Sequence, residues 1–322
     1  MNTIKPIGAI SDPVTVLGAE GRPRATVIIP HLNTPDLLAR CLASVTAQVL
    51  DHGFFDVIVV DNGSQIAPAA VAAQFMTVMF LIEPGPGPGL ARNRGVKAAR
   101  APVLVFIDAD CRAEAGWLQA AVEAVEADPD RAIVGGEVFI ETRDADCFTP
   151  VEAYERVFGF RQKMYIEKRH FSVTANLAMA ACVAPIIGPF RGIDTAEDVE
   201  WGQRAHGMGY ATRFNPAMRV WHPARADFAA LARKWQRHIH HFHHEHTIKG
   251  RPEWKWQAQS ALMVASVVPD TARAMVSDRV HGLGNRWRAV TMLTRTRLFR
   301  AREILKVARA PVGGSGAEFW NR

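Results

Sequence analysis

The sequence predicts an α/β protein in which a mixed, mainly parallel sheet is flanked by helices and followed by a helical, basic C-terminal region. Over the first hundred or so residues, short apolar segments rich in β-branched residues alternate with segments of helical periodicity. Strands connected through helices lie parallel, with right-handed crossovers. After about residue 226 the chain becomes strongly helical and basic. We therefore expect an N-terminal extension (1–24), an α/β domain (25–225) and a helical C-terminal region (226–322).

The α/β part begins with a strand and a helix. "ATVIIP" predicts a strand from Thr26 to Ile29. In the segment that follows, Thr34 is placed to cap a helix whose first residue is Pro35. Apolar residues then recur at helical spacing, namely Leu38, Cys41, Leu42 and Val45. "FFDVIVVDNGS" predicts a second buried strand, which ends in Asp61 and Asn62.

A second helix (about Ala67 to Phe75), a strand within "TVMFLIE" and the loop "GPGPGL" precede a third helix. The loop does not satisfy GxGxxG, because Leu90 occupies the third glycine position, and the chain has no GxxxxGK[ST] motif. A dinucleotide-dependent dehydrogenase and a P-loop NTPase are thereby disfavoured. The prolines indicate a rigid turn. Arg92 and Arg94, just after this turn, are within reach of a phosphate.

Two carboxylates follow the next predicted strand, Val103 to Ile107, which reads as buried on both faces. Ligands of parallel sheets bind beyond the carboxyl ends of the strands, where Asp108 and Asp110 would lie. Neighbouring carboxylates repel each other, and a hard divalent cation such as Mg²⁺ or Mn²⁺, completed by substrate phosphates, relieves the repulsion. A pair of solvated aspartates at a strand end is the alternative.

A second group of four acids lies between Asp194 and Glu200, at the start of a predicted helix. Acids are favourable there because of the helix dipole. Four acids exceed what capping requires, and one of them is a candidate general base. This group belongs to a section, about Gly135 to Pro223, that mixes strands and helices.

The composition indicates a globular protein with a sizeable core, since 48% of the 322 residues are hydrophobic. We see no secretory signal and no apolar stretch long enough to cross a membrane. The four cysteines are scattered and form no CxxC pair, which argues against a zinc site and fits a reducing, cytoplasmic setting.

The positive charge is concentrated near the C-terminus. Between residues 284 and 309 there are eight Lys or Arg residues and one acid, Glu303, whereas the whole chain has a formal net charge of +6. Such a helix suits either an anionic membrane surface or packing on its own domain. Nucleic acid binding is disfavoured because no recognised binding motif accompanies the charge. The six histidines within residues 238–246 are read as adventitious or acceptor-facing rather than as a dedicated metal site, because HExxH is absent.

Several motifs together resemble those of family 2 glycosyltransferases, enzymes with the Rossmann-like GT-A fold. The motifs, in order, are "TVIIPHLN", "VIVVDNGS", "GLARNRG", "FIDADC", "TANLAMA", "IGPFRGIDTAEDVEWGQRAHGMGY" and "VWHPAR". The resemblance extends over about Ala25 to Arg225.

The resemblance implies roles for individual residues. Asp108 and Asp110 match the D-x-D motif, whose last acid binds the metal that bridges the donor diphosphate, and His222 matches a histidine near that metal. Positions around the nucleoside are matched by Pro30, Asn33, Asp61 and Asn62, and Arg92 matches an arginine near the base and phosphates. Asp198 matches the general base of the E-D motif, with Glu197 as its neighbour. Many relatives have two aspartates where this chain has Asp61 and Asn62.

The resemblance also implies an activity: inverting, metal-dependent transfer of a sugar from a nucleotide-diphosphate sugar to a hydroxyl of a glycan or lipid-linked acceptor. The implied cofactor is Mg²⁺ or Mn²⁺, and the expected donor is a UDP-sugar. We expect the protein to be cytoplasmic and to meet an anionic membrane at the inner face of the plasma membrane. The alternatives are a nucleotidyltransferase acting on a sugar phosphate and a non-catalytic sugar-nucleotide or membrane-binding protein.

Overall fold

The computed structural model describes residues 21–193 and 195–309. Most of the predicted N-terminal extension, and residues 310–322 of the predicted C-terminal region, lie outside the described residues. The strands are β1 (Ala25–His31), β2 (Phe55–Asp61), β3 (Met79–Ile82), β4 (Val103–Ile107), β5 (Arg112–Ala113), β6 (Ile133–Glu141), β7 (Asn176–Ala180) and β8 (Thr212–Pro223). The helices are α1 (Pro35–Thr46), α2 (Ala69–Gln74), α3 (Pro88–Ala98), α4 (Trp117–Glu126), α5 (Pro150–Phe158), α6 (Gln162–Arg169), α7 (Val183–Ile187), α8 (Glu197–Gly207), α9 (Phe228–Ile248), α10 (Glu253–Ala265), α11 (Val267–Val276) and α12 (Leu283–Val307).

The strands form one mixed sheet in the order β3-β2-β1-β4-β7-β6-β8-β5. The first four strands of this order are parallel to one another. β7 is antiparallel to both β4 and β6, β6 and β8 are parallel, and β5 is antiparallel to β8. The parallel half brings the carboxyl ends of β1, β2 and β4 to one edge, as the alternation of strands and helices predicts. The α/β prediction is confirmed.

The centre of the sheet is buried on both faces. All residues of β1 and β4 are buried, which explains why their sequences are nearly continuous apolar runs. α3 packs closely on β1 because Gly95 leaves room for it; a Cβ atom there would lie 2.4 Å from Cγ2 of Ile28. Closely packed helices on this side hold the carboxyl ends of the strands in fixed positions.

Element boundaries differ from the sequence expectations by a few residues. The second helix covers Ala69–Gln74, and the third begins at Pro88, inside the glycine-proline loop. Proline suits the first turn of a helix because its missing N–H has no intrahelical partner to lose. The Thr34 side chain makes no capping hydrogen bond, so that part of the prediction is wrong.

The C-terminal helices pack together and against the α/β part. α12 contacts α5, α9, α10 and α11 and buries Ala289, Leu293 and Ile304. Most of its basic side chains are engaged within the molecule: Arg286 donates to the backbone carbonyls of Met275 and Val280, Arg288 bonds Asn285, Arg295 stacks on Phe228, Arg297 pairs with Asp270, and Arg300 stacks on Trp235. The structure thus favours a packed helix. No helix within the described ranges combines the length and the apolar character that crossing a membrane requires.

Candidate active site

The predicted site residues meet along one edge of the sheet. Pro30 lies in β1, Asp61 ends β2, Asp108 and Asp110 follow β4, and His222 lies near the end of β8, while Glu197 and Asp198 begin α8. Asn33 lies in the loop after β1, Asn62 follows β2, and Arg92 lies on α3. The topology thus brings residues from widely separated parts of the sequence to one place.

At the β1 and β2 end of the site, a buried histidine holds Asp61. Nδ1 of His31 lies 2.9 Å from Oδ1 of Asp61, and the Ser64 hydroxyl donates to the same oxygen at 2.5 Å. The Asn33 backbone N–H donates to Ser64 Oγ at 2.9 Å, which joins the loop after β1 to the loop after β2. Asn33 has a φ of +55°, a conformation that asparagine tolerates better than most residues. Sequence reasoning missed His31, although it directly follows Pro30.

Asn62 fixes the glycine-proline loop. Its amide nitrogen donates to the carbonyl oxygens of Glu83 at 3.0 Å and Gly85 at 2.6 Å, while its oxygen accepts from the N–H of Gly87 at 2.8 Å. An aspartate lacks the two N–H donors that these carbonyls use. These three hydrogen bonds give a physical cause for the predicted rigid turn. They join the loop to Asn62, which directly follows β2.

Arg92 connects the two acidic motifs. It is buried, and its guanidinium donates to Oδ1 of Asp108 at 2.7 Å and to Oε1 of Glu197 at 2.9 Å. The predicted proximity of Arg92 to the base and phosphates stays a prediction, because in this structure both bonds go to acids of the site. A buried guanidinium that bonds two carboxylates connects α8 to the loop after β4.

Asp110 faces His222 rather than Arg92. Nε2 of His222 lies 3.3 Å from Oδ2 of Asp110, and Nδ1 lies 2.7 Å from the carbonyl oxygen of Pro223. Burial disfavours the charge of Asp110, but attraction by His222 outweighs it and lowers the pKa of Asp110 to about 2. The same pairing raises the pKa of His222 against the effect of its own burial. Asp110 is therefore an ionised carboxylate that is half-buried beside an imidazole.

This donor set fits a divalent cation completed by substrate. A carboxylate oxygen and an imidazole nitrogen are both ligands of Mn²⁺, and Mg²⁺ also accepts the carboxylate. No cluster of three His, Cys, Asp or Glu side chains suited to a metal occurs in the part of the chain that the structure describes. The fit is thus to an ion whose remaining ligands come from phosphates and water.

The acids at the start of α8 have different partners. Glu197 is bound by Arg92, and Glu200 is bound by Arg204 at 2.9 Å. Asp198 has no salt bridge within the described residues, and its Oδ1 accepts from the N–H of Val199 at 2.8 Å. Burial, reinforced by repulsion from Glu197, raises the pKa of Asp198 to about 7. A carboxylate with this pKa can accept a proton near neutral pH.

The histidine-rich segment of α9 forms no metal centre among the described residues. Nε2 of His246 lies 3.1 Å from the carbonyl oxygen of Pro252, and Nε2 of His243 lies 3.3 Å from Oε1 of Glu253. Both rings also lie against Trp256. These two histidines thus help pack α9 against the start of α10.

Comparison with known proteins identifies the class to which this fold and site belong. A model of the glycosyl transferase family 2 matches residues 26–182. Glycosyltransferase AglE of Haloferax volcanii is 32% identical over 218 residues, covering 66% of this chain and 70% of that protein. The chain belongs to glycosyl transferase family 2 and is a glycosyltransferase. An uncharacterized glycosyltransferase of Mycobacterium bovis is 36% identical over 105 residues, and the chain spans only 45% of its length.

A solved structure shows the same fold over nearly the whole chain. The mannosyltransferase PcManGT of Pyrobaculum calidifontis, solved in complex with GDP-Man and Mn²⁺, superposes with a TM-score of 0.51. The superposition covers 92% of this chain and 78% of that one at 18% sequence identity. The prediction of a GT-A fold with a helical C-terminal region is confirmed.

Proposed function

We propose that this glycosyltransferase transfers a sugar from a nucleoside-diphosphate sugar to an acceptor hydroxyl, with inversion at the anomeric carbon and Asp198 as the general base. The observation that carries the proposal is the contrast at the start of α8. Asp198 alone among Glu197, Asp198 and Glu200 lacks a salt bridge within the described residues, and it lies beside the Glu197–Arg92–Asp108 connection. A neighbouring cation lowers the pKa of a carboxylate and weakens it as a base, so the acid that lacks a salt bridge is the stronger candidate.

The reaction needs one proton transfer and one exchange of bonds. Asp198 takes the proton from the acceptor hydroxyl as the oxygen attacks the anomeric carbon. The bond between that carbon and the donor's β-phosphate oxygen breaks, and the electron pair leaves with the nucleoside diphosphate. Attack from the face opposite the leaving group gives the inverted configuration. Positioned general bases contribute about 10²- to 10⁴-fold to such rates.

Asp110 and His222 are the residues proposed to hold Mg²⁺ or Mn²⁺. When bound, the ion would neutralise negative charge on the departing diphosphate. The ionised state of Asp110 and its distance of 3.3 Å from His222 support this assignment. Asp108, which we also predict as a ligand, keeps one oxygen on Arg92, so Asp110 is the stronger candidate. The Mn²⁺ in the PcManGT complex supports a divalent ion in this fold.

The nucleoside is proposed to bind at the ends of β1 and β2, against Pro30, Asn33, Asp61 and Asn62. The loops that carry these residues are joined by hydrogen bonds, so the pocket wall is formed before the donor arrives. A UDP-sugar is the expected donor, and the GDP-Man bound to PcManGT makes GDP-mannose the donor to compare with it.

The acceptor is proposed to be a glycan or lipid-linked hydroxyl, presented at the inner face of the plasma membrane. One exposed face of α12 supports membrane contact. Trp287, Leu298 and Leu305 fall on the same side of the helix by its 3.6-residue periodicity, and the exposed Arg302 and Lys306 lie beside them. Apolar side chains flanked by basic ones suit an anionic lipid surface.

The test of this function is a panel of nucleotide sugars with and without Mn²⁺. A donor that binds the folded protein raises its melting temperature. The donors that do so are then incubated with candidate acceptors, and the products are analysed. Release of nucleoside diphosphate with an inverted glycoside supports the proposal. Release of pyrophosphate would instead indicate nucleotidyl transfer, and donor binding without turnover across the acceptors would indicate a binding protein.

A further inference from the structure

Three cationic side chains gather beside the Asp110–His222 pair. Arg225 follows β8, three residues after His222, while Lys234 and Arg237 lie one helical turn apart on α9. Nζ of Lys234 lies 5.5 Å from the ring centre of Phe160, and that ring is centred 5.1 Å from the His222 ring. Lys234 is therefore separated from the proposed cation ligands by a single aromatic ring.

The carboxylates near these cations are already engaged. Glu155 is completely buried and is bound by the Arg225 guanidinium and by the Arg225 backbone N–H, the latter at 2.8 Å. Glu197, whose charge acts on Arg237, is bound by Arg92. Within the described residues, the side chains of Lys234 and Arg237 make no hydrogen bond or salt bridge, although Lys234 lies over the rings of Phe160 and Trp235. The cluster thus holds more positive than negative charge in a half-buried place.

Burial and mutual repulsion both disfavour the positive charges of this cluster. Burial, reinforced by the charge of Arg225, lowers the pKa of Lys234 to about 7, and Arg237 adds to the effect. Burial and the charge of Arg225 likewise lower the pKa of Arg237. Half-buried cations that repel one another are unfavourable unless an anion binds among them. Guanidinium groups pair with phosphate through two parallel hydrogen bonds, and a lysine adds a point charge.

We propose that Arg225, Lys234 and Arg237 form a phosphate-binding subsite between the Asp110–His222 pair and the acids of α8. The proposal rests on the proposed function for the source of its ligand, which is either the diphosphate of the donor or a phosphate group carried by the acceptor. In the first case the cluster stabilises the leaving group, and in the second it positions the acceptor beside Asp198.

Binding of inorganic pyrophosphate, measured calorimetrically without metal, tests the subsite. Lys234→Met and Arg237→Gln should each weaken binding about tenfold or more, because each removes a charged donor. Arg233→Gln is the matched control, since Arg233 lies on the same helix and is exposed. Arg225 is left unchanged because its removal would leave Glu155 buried and unpaired. Melting curves of each variant verify that it is folded.

Two further titrations identify the source of the phosphate. UDP and GDP are each compared with their monophosphates in Mn²⁺, and decyl phosphate is compared with decanol. Loss of the diphosphate advantage in both variants assigns the subsite to the donor, and loss of the decyl phosphate advantage assigns it to the acceptor. Folded variants that bind pyrophosphate, nucleotides and decyl phosphate like the unmodified chain would overturn the proposal. Since every readout is binding, absence of sugar transfer counts only against the proposed function.

Discussion

Three carboxylates within four residues at the start of α8 show how partners decide what an acid can do. Arg92 forms a salt bridge with Glu197, and Arg204 forms one with Glu200. Asp198 has burial and a repelling neighbour instead, which favour its protonated form. The residue type is nearly the same in all three cases. The three acids differ because the fold gives Glu197 and Glu200 a salt-bridge partner and gives Asp198 none within the described residues.

Replacing Asp198 with Asn should lower kcat by about 10²- to 10⁴-fold with little change in donor affinity, because the base acts in the transition state. Asn keeps the shape of the side chain but cannot carry the proton. Glu200→Gln is the control, since Glu200 lies on the same helix turn with its charge directed to Arg204. Steady-state kinetics and donor titration measure both effects. Turnover near the unmodified level in Asp198→Asn would show that another residue is the base.

The pH dependence of turnover follows from the raised pKa of Asp198. In the proposed mechanism the ionised form of Asp198 is the base, and its fraction increases as the pH rises through about 7. We therefore expect kcat/KM to fall about tenfold for each pH unit below that value and to level off above it. A pH profile of kcat/KM measures this limb. A profile that is flat between pH 5 and 8 would contradict the assignment.

Replacing Asp110 with Asn should weaken the binding of nucleoside diphosphate in Mn²⁺ and leave metal-free binding nearly unchanged. The amide keeps the size of the side chain but removes the charge that attracts both the ion and His222. Calorimetric titration with and without Mn²⁺ separates the two contributions. Asp110 is excluded from the metal site if the folded variant retains the full metal-dependent gain in affinity.

At the scale of elements, sequence patterns predicted β1 to β4 and the polar residues at the ends of β2 and β4. A buried strand can be recognised from a short stretch of sequence, because its apolar residues and the polar residues that bound them are adjacent. The links between elements are not local. Arg92 joins Asp108 on β4 to Glu197 on α8, and nothing in the sequence around Arg92 indicates two partners so far along the chain. The candidate site residues could therefore be proposed individually from their motifs, whereas the contacts between them required the structure.

Asn62 provides a test of how one strand end organises a neighbouring loop. Asn62→Asp should lower the free energy of unfolding by about 1 to 3 kcal/mol, because a carboxylate would face the carbonyl oxygens of Glu83 and Gly85. Chemical denaturation measures the loss. We also expect weaker nucleotide binding, since the glycine-proline loop loses the two hydrogen bonds that the Asn62 amide donates to it. Unchanged stability would mean that the loop is held by its prolines alone.

At the scale of the whole molecule, the helical C-terminal region is built into the fold. Residues of α5 and α12 share apolar clusters, such as Ala153 and Val157 with Ala289, and Tyr154 with Leu293. The basic composition of α12 predicted a helix but left its partner open between membrane and protein. Composition cannot decide this, because arginine both stacks on aromatic rings and binds anionic lipid. The shared apolar clusters show that one side of α12 packs on α5 of the same protein.

The remaining prediction concerns contact between a membrane and the exposed surface of α12. Deleting α12 is not a usable test, because it would expose the apolar side of α5. We instead expect the double substitution Arg302→Gln with Lys306→Gln to weaken binding to vesicles of anionic lipid by roughly 30-fold, since each basic residue contributes about 1 kcal/mol near such a surface. Lys97→Gln with Arg100→Gln is the control, because it removes the same charge from exposed residues at the end of α3. Vesicle sedimentation at rising salt measures both variants, and binding should fall with ionic strength. Equal losses in the two double variants would indicate a general effect of net charge and would remove the membrane role from this face of α12.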